Sequence, residues 1–409
     1  MKDIILLTNE YPFGFKESYL TNEICNCNCV NNLFIVPLFR ESKIKRNIDN
    51  KKDINIIELE KIDSNIFMKK LYLFIFDKNI WSEIFNIFKS KKYILRKIKK
   101  MIWFWNRAID RYFQIEFYIR KNKIDLHNVV VYSYWMAEHA YIASKLKVKF
   151  KELKAISRCH GYDLYEYRNE IGYIPFRSQI FDNIDYIIPI SNNGYEYITS
   201  KYKYLNKSKV HKSYLGTKDY GYNLEYKNDK LKIASCSNLV DVKRVELIIK
   251  ALMHITDFDV EWIHYGDGPK KDELIKLCKE LPSNIKYRFQ GQIGNEEIMK
   301  EYGMQKFDLF LNVSSSEGLP VSIMEAQSKG IVVIATDVGG TSEIIHDRVN
   351  GFLLNKDFKV QDLSETLLKY RSLSYQCKIQ MKKNSREIWS KNFDASNNYR
   401  CFYEWINKI

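Results

Sequence analysis

The sequence is poor in the features that mark several classes of protein. Only 16 of its 409 residues are glycine and 7 are proline, which excludes a collagen-like or low-complexity chain. Its most apolar stretch, residues 71–88, is interrupted by Asp77, Lys78 and Glu83, so we expect no transmembrane helix. Because 45% of the residues are hydrophobic and 14% aromatic, the chain can build large cores, and its length predicts two domains.

Cysteine is sparse as well. Eight thiols scattered over the chain do not suggest a disulfide framework, which favours a reducing cytoplasm. Cys25, Cys27 and Cys29 form a Cys-x-Cys-x-Cys run, but this spacing is tighter than that of a zinc knuckle and no second ligand pair is near in sequence. We therefore favour ordinary thiols over a metal site. Residues 1–8 predict a first strand rather than a signal peptide.

Positive charge is in excess, with 65 Lys and Arg against 50 Asp and Glu. This balance favours a polyanionic partner: nucleic acid, an anionic membrane or a phosphorylated small molecule. Eleven basic and only two acidic residues lie between Lys69 and Arg107, interleaved with ten aromatic residues. Two interpretations have equal weight: a basic amphipathic segment at an anionic membrane, or a charged surface over an aromatic core. No nucleic-acid recognition module accompanies the charge, so we expect no nucleic-acid partner.

Alternating apolar runs and helical segments predict two doubly wound α/β domains. The C-terminal half has predicted strands at 233–236, 260–265, 285–289, 307–313 and 331–335, and the N-terminal half at 4–7, 33–37, 129–132, 155–158 and 186–190. Parallel sheets bind ligands at the carboxyl ends of their strands, so the functional residues should follow the strands, in a cleft between facing domains.

The most informative segment, residues 314–326, follows a predicted strand and enters a helix predicted at about 320–329. Pro320 suits the first helical position, and the free N–H groups of that turn, preceded by Gly318, form a socket for a diphosphate. Glu317 precedes the socket and Glu325 lies inside the helix; each carboxylate can accept hydrogen bonds from a sugar diol. Taken singly, each glutamate is better explained as a capping or solvated residue.

The segment 314–343 resembles the signature of the retaining glycosyltransferases of family four, with a Glu-x7-Glu motif and a Gly-Gly-x-x-Glu loop. The resemblance implies that Lys243 neutralises the donor diphosphate, that Glu317 positions the hexose and that Glu325 holds the ribose. It also assigns the diphosphate-binding turn to Gly318, Leu319, Pro320 and Val321.

The resemblance extends over most of the chain and implies further site residues. Ser237-Asn238 stands where the family commonly has Gly-Arg, and Arg244, where glycine is usual, is expected to replace the missing cation in part. The remaining implied positions are donor-binding Asn238, Gly266 and Gly291, catalytic His160 beside the donor sugar, and acceptor-side Gly14 and Asp163.

The resemblance implies the GT-B fold, with two facing Rossmann-like domains. We expect an N-terminal domain over 1–213 with a basic helical insertion at about 61–121, a hinge over 214–229, a nucleotide-sugar domain over 230–388 and a terminal helix over 389–409 that crosses back. The family usually works without a metal, and Asp257-Phe258-Asp259 precedes a strand, so we expect no metal and no cofactor beyond the nucleotide-sugar co-substrate.

The predicted function is retaining transfer of a sugar from a nucleotide-diphosphate sugar to a hydroxyl acceptor in capsule, O-antigen or exopolysaccharide synthesis. The acceptor would be a glycan or lipid-linked, and the protein cytoplasmic or peripheral on the inner face of the cell membrane. Two alternatives stay open. One is a nucleotide-sugar epimerase of the same fold, and the other is a non-enzymatic protein that binds polyanions through its basic surface.

Overall fold

The computed structural model describes residues 1–14, 17–46, 48, 54–61, 70–222 and 228–409. The chain divides into two compact units, the first formed by residues 1–213 with 399–409 and the second by residues 214–398. Part of the predicted hinge, residues 223–227, and part of the predicted insertion, residues 62–69, lie outside the described residues.

The first unit is built on a six-stranded parallel sheet with the order β3-β2-β1-β4-β5-β6. Ile4 of the central strand β1 pairs with Leu33 on one side and Val130 on the other. The strands are β1 Asp3–Thr8, β2 Leu33–Pro37, β3 Ile54–Ile56, β4 Val129–Ser133, β5 Lys154–Cys159 and β6 Tyr186–Pro189.

The helices that begin in the first unit are α1 Leu20–Ile24, α2 Leu71–Phe76, α3 Lys78–Lys89, α4 Ile94–Lys121, α5 Glu138–Lys149, α6 Arg177–Asn183 and α7 Asn192–Lys201. The long helix α4 forms because apolar residues recur every three or four positions along it. Its buried stripe packs into the core of the unit and consists of Met101, Trp105, Ala108, Tyr112, Ile115 and Ile119.

The second unit is built on another six-stranded parallel sheet, with the order β12-β11-β10-β7-β8-β9. Its strands are β7 Leu231–Cys236, β8 Val260–Tyr265, β9 Ile285–Gly291, β10 Leu309–Asn312, β11 Val332–Thr336 and β12 Gly351–Leu354. The remaining helices are α8 Val245–Leu252, α9 Lys271–Cys278, α10 Asn295–Gln305, α11 Val321–Ser328, α12 Val360–Ser372, α13 Tyr375–Asn392 and α14 Ala395–Ile406.

Each predicted apolar run coincides with a strand, but the short edge strands β3 and β12 were not predicted. The strand β3 has only three residues, which is too short to show a hydrophobic pattern of its own. When the strands are numbered within each unit, both sheets have the doubly wound order 3-2-1-4-5-6. The strand order therefore reverses between β1 and β4 in the first sheet and between β7 and β10 in the second, where such folds bind ligands.

Candidate functional site

In the second unit, the loops after β7 and β10 meet beside the point where the strand order reverses. The Ser315 N–H donates to the Val242 carbonyl at 2.8 Å, and the Lys243 ammonium lies 2.6 Å from Glu317 Oε1. Asn312 Nδ2 also approaches Glu317, at 3.4 Å. The structure thus brings together a cation and a carboxylate that are 74 positions apart in sequence.

Arg244 has a different environment from the one expected. Its guanidinium donates to the carbonyls of Val313 at 2.8 Å, Lys356 at 2.9 Å and Ser314 at 3.3 Å. A further contact reaches Thr336 Oγ1 at 3.3 Å. All three guanidinium nitrogens are therefore engaged in holding strand ends together, and this geometry does not favour the expected role as a replacement phosphate cation.

The backbone of Arg244 adopts φ 49°, a left-handed conformation that glycine adopts most easily. This accounts physically for the glycine that the family commonly has at that position. Asn238, the other departure from the family pattern, is exposed on the loop after β7, and its carbonyl accepts from the Val240 N–H at 3.1 Å.

Two glycines let the loops after β7, β8 and β9 approach through their backbones. Gly266 has φ 129°, and a Cβ there would lie 2.0 Å from the Ser237 carbonyl oxygen. Its N–H donates to the carbonyl of Gly291, which has φ 75°, at 2.9 Å. At the carboxyl edge of the sheet, Gly266 therefore permits the close approach of two loops, and Gly291 supplies a left-handed backbone conformation at the end of β9.

The predicted diphosphate socket is the turn that enters α11. Pro320 lies directly before the helix, Leu319 and Pro320 are buried, and Gly318 and Val321 are partly exposed. The Gly318 carbonyl accepts from the Gly340 N–H at 2.8 Å, and a Cβ on Gly339 would lie only 1.9 Å from the Glu317 carbonyl oxygen. The Gly-Gly loop therefore clamps the turn by direct backbone contact.

Glu325 lies buried on α11 and accepts a hydrogen bond from Asn295 Nδ2 at 2.5 Å. Burial raises the pKa of Glu325 to about 7, although the hydrogen bond from Asn295 acts in the opposite direction. Asn295 is the first residue of α10 and was missed by sequence reasoning. The sequence signal that could have identified Asn295 is its position four residues after Gly291, the last residue of β9.

In the first unit, Glu17 joins the loops after β1 and β4. Its carboxylate accepts the N–H groups of Asn9, Glu10 and Tyr11 at 2.9–3.0 Å, and Nε1 of Trp135 at 2.5 Å. Nearby, Gly14 has φ 62°, and a Cβ there would lie 2.4 Å from Glu10 Oε1. This loop needs glycine at that position for its own conformation.

His160 and Asp163 follow β5 and lie close together. Asp163 accepts the N–H groups of Met136 and His160, each at 2.8 Å, and its Oδ2 is 3.6 Å from His160 Nδ1. Burial alone would raise the pKa of Asp163, but the interactions with His160 and these N–H donors hold it below its usual value.

The imidazole of His160 lies against two aromatic rings, with ring centroids 4.4 Å from Trp135 and 4.8 Å from Tyr134. These two aromatic residues were missed by sequence reasoning. Their signal is their position immediately after β4, next to the central strand of the sheet.

Among the described residues, no group of three or more His, Cys, Asp and Glu is arranged to hold a metal ion. The Asp257–Asp259 pair lies at the amino end of β8, away from the carboxyl edge. Within the residues that the structure describes, no helix combines the length and the apolar character that crossing a bilayer requires.

The family model described as "Glycosyl transferases group 1" matches residues 223–388, which include every predicted donor-binding residue. Residues 223–388 therefore have the sequence pattern of the group 1 glycosyl transferases. The family expected from the sequence is thereby confirmed over residues 223–388.

Curated relatives match parts of this chain. A GDP-mannose-dependent alpha-mannosyltransferase of Corynebacterium glutamicum is 34% identical over 109 residues, 27% of the chain and 24% of the relative. The O-antigen biosynthesis glycosyltransferase WbnH of Escherichia coli is 32% identical over 123 residues, 30% of the chain and 33% of the relative. The matched region thus spans about a quarter to a third of these relatives.

Solved structures match the whole chain in fold. The apo form of the lipopolysaccharide outer core galactosyltransferase WaaB has a TM-score of 0.69 at 16% identity, with 100% of both chains covered. Anabaena Alr3699/HepE in complex with UDP-glucose has a TM-score of 0.65 at 13% identity, again with full coverage of both chains. The predicted GT-B fold class is thereby confirmed.

Proposed function

We propose that the protein is a retaining glycosyltransferase that moves a sugar from a nucleotide-diphosphate sugar to a hydroxyl group of an acceptor. The observation that carries the proposal is the meeting of Lys243 and Glu317 at the carboxyl ends of β7 and β10. A Rossmann-like sheet binds its ligand at this place, and both residues belong to the segments that resemble the family.

For the donor diphosphate, we assign Lys243 and the backbone N–H groups of Gly318, Leu319 and Val321 at the start of α11. Negative charge grows on the leaving phosphate as the sugar bond breaks, and a fixed ammonium and helix N-terminus stabilise that charge. Lys243 would exchange its contact with Glu317 for the phosphate, which frees the Glu317 carboxylate to accept hydrogen bonds from the hexose.

For the ribose, we assign Glu325, with Asn295 as a positioning residue. An ionised carboxylate accepts two hydrogen bonds from a vicinal diol, and the Asn295 amide occupies Oε1 and restrains the side chain. In the first unit, we assign His160 to the donor sugar. Asp163 lies beside its Nδ1, and the rings of Tyr134 and Trp135 restrict its imidazole, so its Nε2 is the atom proposed to contact the sugar.

We further propose a role in surface polysaccharide synthesis. The support is that one relative is named as an O-antigen biosynthesis enzyme and one structural neighbour as a lipopolysaccharide outer core galactosyltransferase. The acceptor is then a growing glycan or a lipid-linked sugar. An epimerase would instead convert the donor without any acceptor, so product analysis in the absence of acceptor separates the two activities.

The first test is thermal stabilisation of the protein by UDP, GDP, ADP, CMP and their sugars. We expect one nucleoside diphosphate class to raise Tm by about 5 °C at a ligand concentration about 100 times its Kd. Glu325→Ala should lose this shift, whereas Glu273→Ala, an exposed glutamate of the same unit, should retain it. Equal stabilisation by every polyanion would instead support the polyanion-binding alternative.

A further inference from the structure

Helices α2 and α3 of the first unit carry apolar residues on two faces rather than one. On α3, the inward positions Ile80, Ile84 and Ile87 are buried or partly buried and pack into the core. The spacing of three and four residues is that of an ordinary amphipathic helix, for which the opposite face should be polar.

The face next to this one, about 100° around the helix axis, is aromatic. Trp81, Phe85 and Phe88 are again spaced by four and three residues, and they are 56%, 68% and 54% exposed. Trp81 Nε1 donates to the Ile75 carbonyl at 2.7 Å, which joins the end of α2 to this surface. We call the exposed set the aromatic face; it consists of Tyr72, Ile75, Phe76, Trp81, Phe85 and Phe88.

The charges around the aromatic face are positive. Exposed lysines lie on α3, on the turn that follows it and on the first part of α4: Lys78, Lys89, Lys91, Lys92 and Lys99. The two acidic residues of the segment turn inward. Glu83 is buried and accepts from the Tyr173 hydroxyl at 2.6 Å, and Asp77 is paired with Lys145 at 2.6 Å.

This arrangement distinguishes between the two interpretations of the basic segment. A charged surface over an aromatic core would bury the rings, as happens for Phe104 and Trp105. The six residues of the aromatic face are exposed instead, within a rim of lysines. Contiguous apolar surface of this kind marks an interaction site on a protein.

We propose that the aromatic face docks on an anionic lipid bilayer, with its rings at the boundary between headgroups and acyl chains and its lysines against lipid phosphates. Aromatic rings favour this boundary, and each exposed lysine adds attraction to an anionic leaflet. Charge complementarity selects this occupant, because a second copy of the chain would bring its own lysine rim against the first. The proposal concerns a surface distinct from the donor site and does not depend on sugar transfer.

The test is co-sedimentation of the full chain with vesicles, without nucleotide or acceptor. We expect strong binding to vesicles that are about one third phosphatidylglycerol and weak binding to pure phosphatidylcholine, with partial loss at high salt. The variant Trp81→Ser/Phe85→Ser/Phe88→Ser should bind at least about tenfold more weakly, because most of the inserting apolar surface is removed.

A second variant, Phe85→Ser/Phe88→Ser, keeps the Trp81 hydrogen bond and should still lose most of the binding. Phe117→Ser is the matched control. Phe117 is 66% exposed on the same unit, but it lies near the end of α4, about 33 Å along the helix from Leu95 at its start. Its vesicle binding should equal that of the wild type, and all variants should unfold at the wild-type temperature.

Lys89→Gln/Lys91→Gln/Lys92→Gln tests the charge directly and should reduce the preference for anionic vesicles while leaving residual binding. Three results would overturn the proposal. They are equal binding to neutral and anionic vesicles, wild-type binding by both serine variants, and a wild-type dimer that the serine variants convert to a monomer without any change in vesicle binding. The last result would assign the aromatic face to a second copy.

Discussion

The two sheets have the same strand order, and at the reversal point of each a glutamate joins the two loops that lie there. In the first unit, Glu17 accepts three main-chain N–H groups and the indole of Trp135. In the second unit, Glu317 contacts the Lys243 ammonium and the side chain of Asn312. The same topological position therefore carries a carboxylate with neutral donors in one unit and an ion pair in the other.

This difference indicates what each carboxylate can do. Glu17 is held by the backbone of its own loop, so moving it would leave buried N–H groups without partners, which costs free energy. Glu317 is held by side chains, and Lys243 can turn to an incoming anion without breaking main-chain hydrogen bonds. Topology thus places both glutamates, while their partners make the first a structural element and the second available to a ligand.

The largest effect should come from removing the cation of the second unit. Lys243→Ala is expected to lower kcat by about 10²–10³-fold, because a fixed positive charge no longer stabilises the leaving phosphate. The measurement is steady-state sugar transfer with the donor found by thermal stabilisation. Lys271→Ala is the matched control, since Lys271 also contacts a carboxylate at 2.7 Å, that of Asp267, but as an exposed pair on α9. Equal losses in both variants would contradict the assignment.

The meeting of Lys243 and Glu317 could be anticipated from sequence, because both follow strands whose carboxyl ends share one edge of a parallel sheet. The role of Arg244 could not be anticipated from the sequence. A cation at a helix start opposes the helix dipole, and that misfit suggested an anionic ligand. The structure instead supplies main-chain carbonyls of Val313, Ser314 and Lys356 as acceptors, and these come from loops that no local pattern connects.

Other omissions have the same physical origin. Asn295 and Glu325 are 30 positions apart, and their hydrogen bond depends on the tertiary fold bringing the start of α10 to the Glu325 side chain on α11. Trp135 lies 118 positions from Glu17 and meets it only because β4 pairs with β1. Apolar periodicity predicts the strands, but it carries no information on which side chains meet across two loops.

A smaller effect should follow when the structural glutamate is altered. Glu17→Gln is expected to lower the free energy of unfolding by about 2 kcal/mol, because one amide oxygen replaces a charged group that accepts four N–H donors. Glu317→Gln should lower it by less than about 1 kcal/mol, since its ion pair is partly exposed, while activity falls. Chemical denaturation followed by tryptophan fluorescence measures both, and the reverse order of stabilities would remove the distinction between the two glutamates.

The smallest effect concerns pH, and it distinguishes the Glu325 carboxylate of the second unit from the Asp163 carboxylate of the first unit. With a pKa raised to about 7, Glu325 is largely protonated at about pH 6 and ionised at about pH 8, so affinity for the nucleotide sugar should rise by about tenfold over that interval. Asp163, whose pKa is lowered, stays ionised throughout, so Asp163→Asn should shift the level of affinity without altering its slope.

Calorimetric titration with a nucleotide sugar measures this dependence cleanly, because a diphosphate esterified at both ends keeps its charge over the interval. Glu325→Gln cannot titrate, so its weaker binding should be independent of pH, and a wild-type slope in this variant would assign the proton to another group. If the slope belongs to Glu325, the burial of this residue on α11 tunes the ribose contact of the second unit. The hydrogen-bonded carboxylate of the first unit would then keep one charge state.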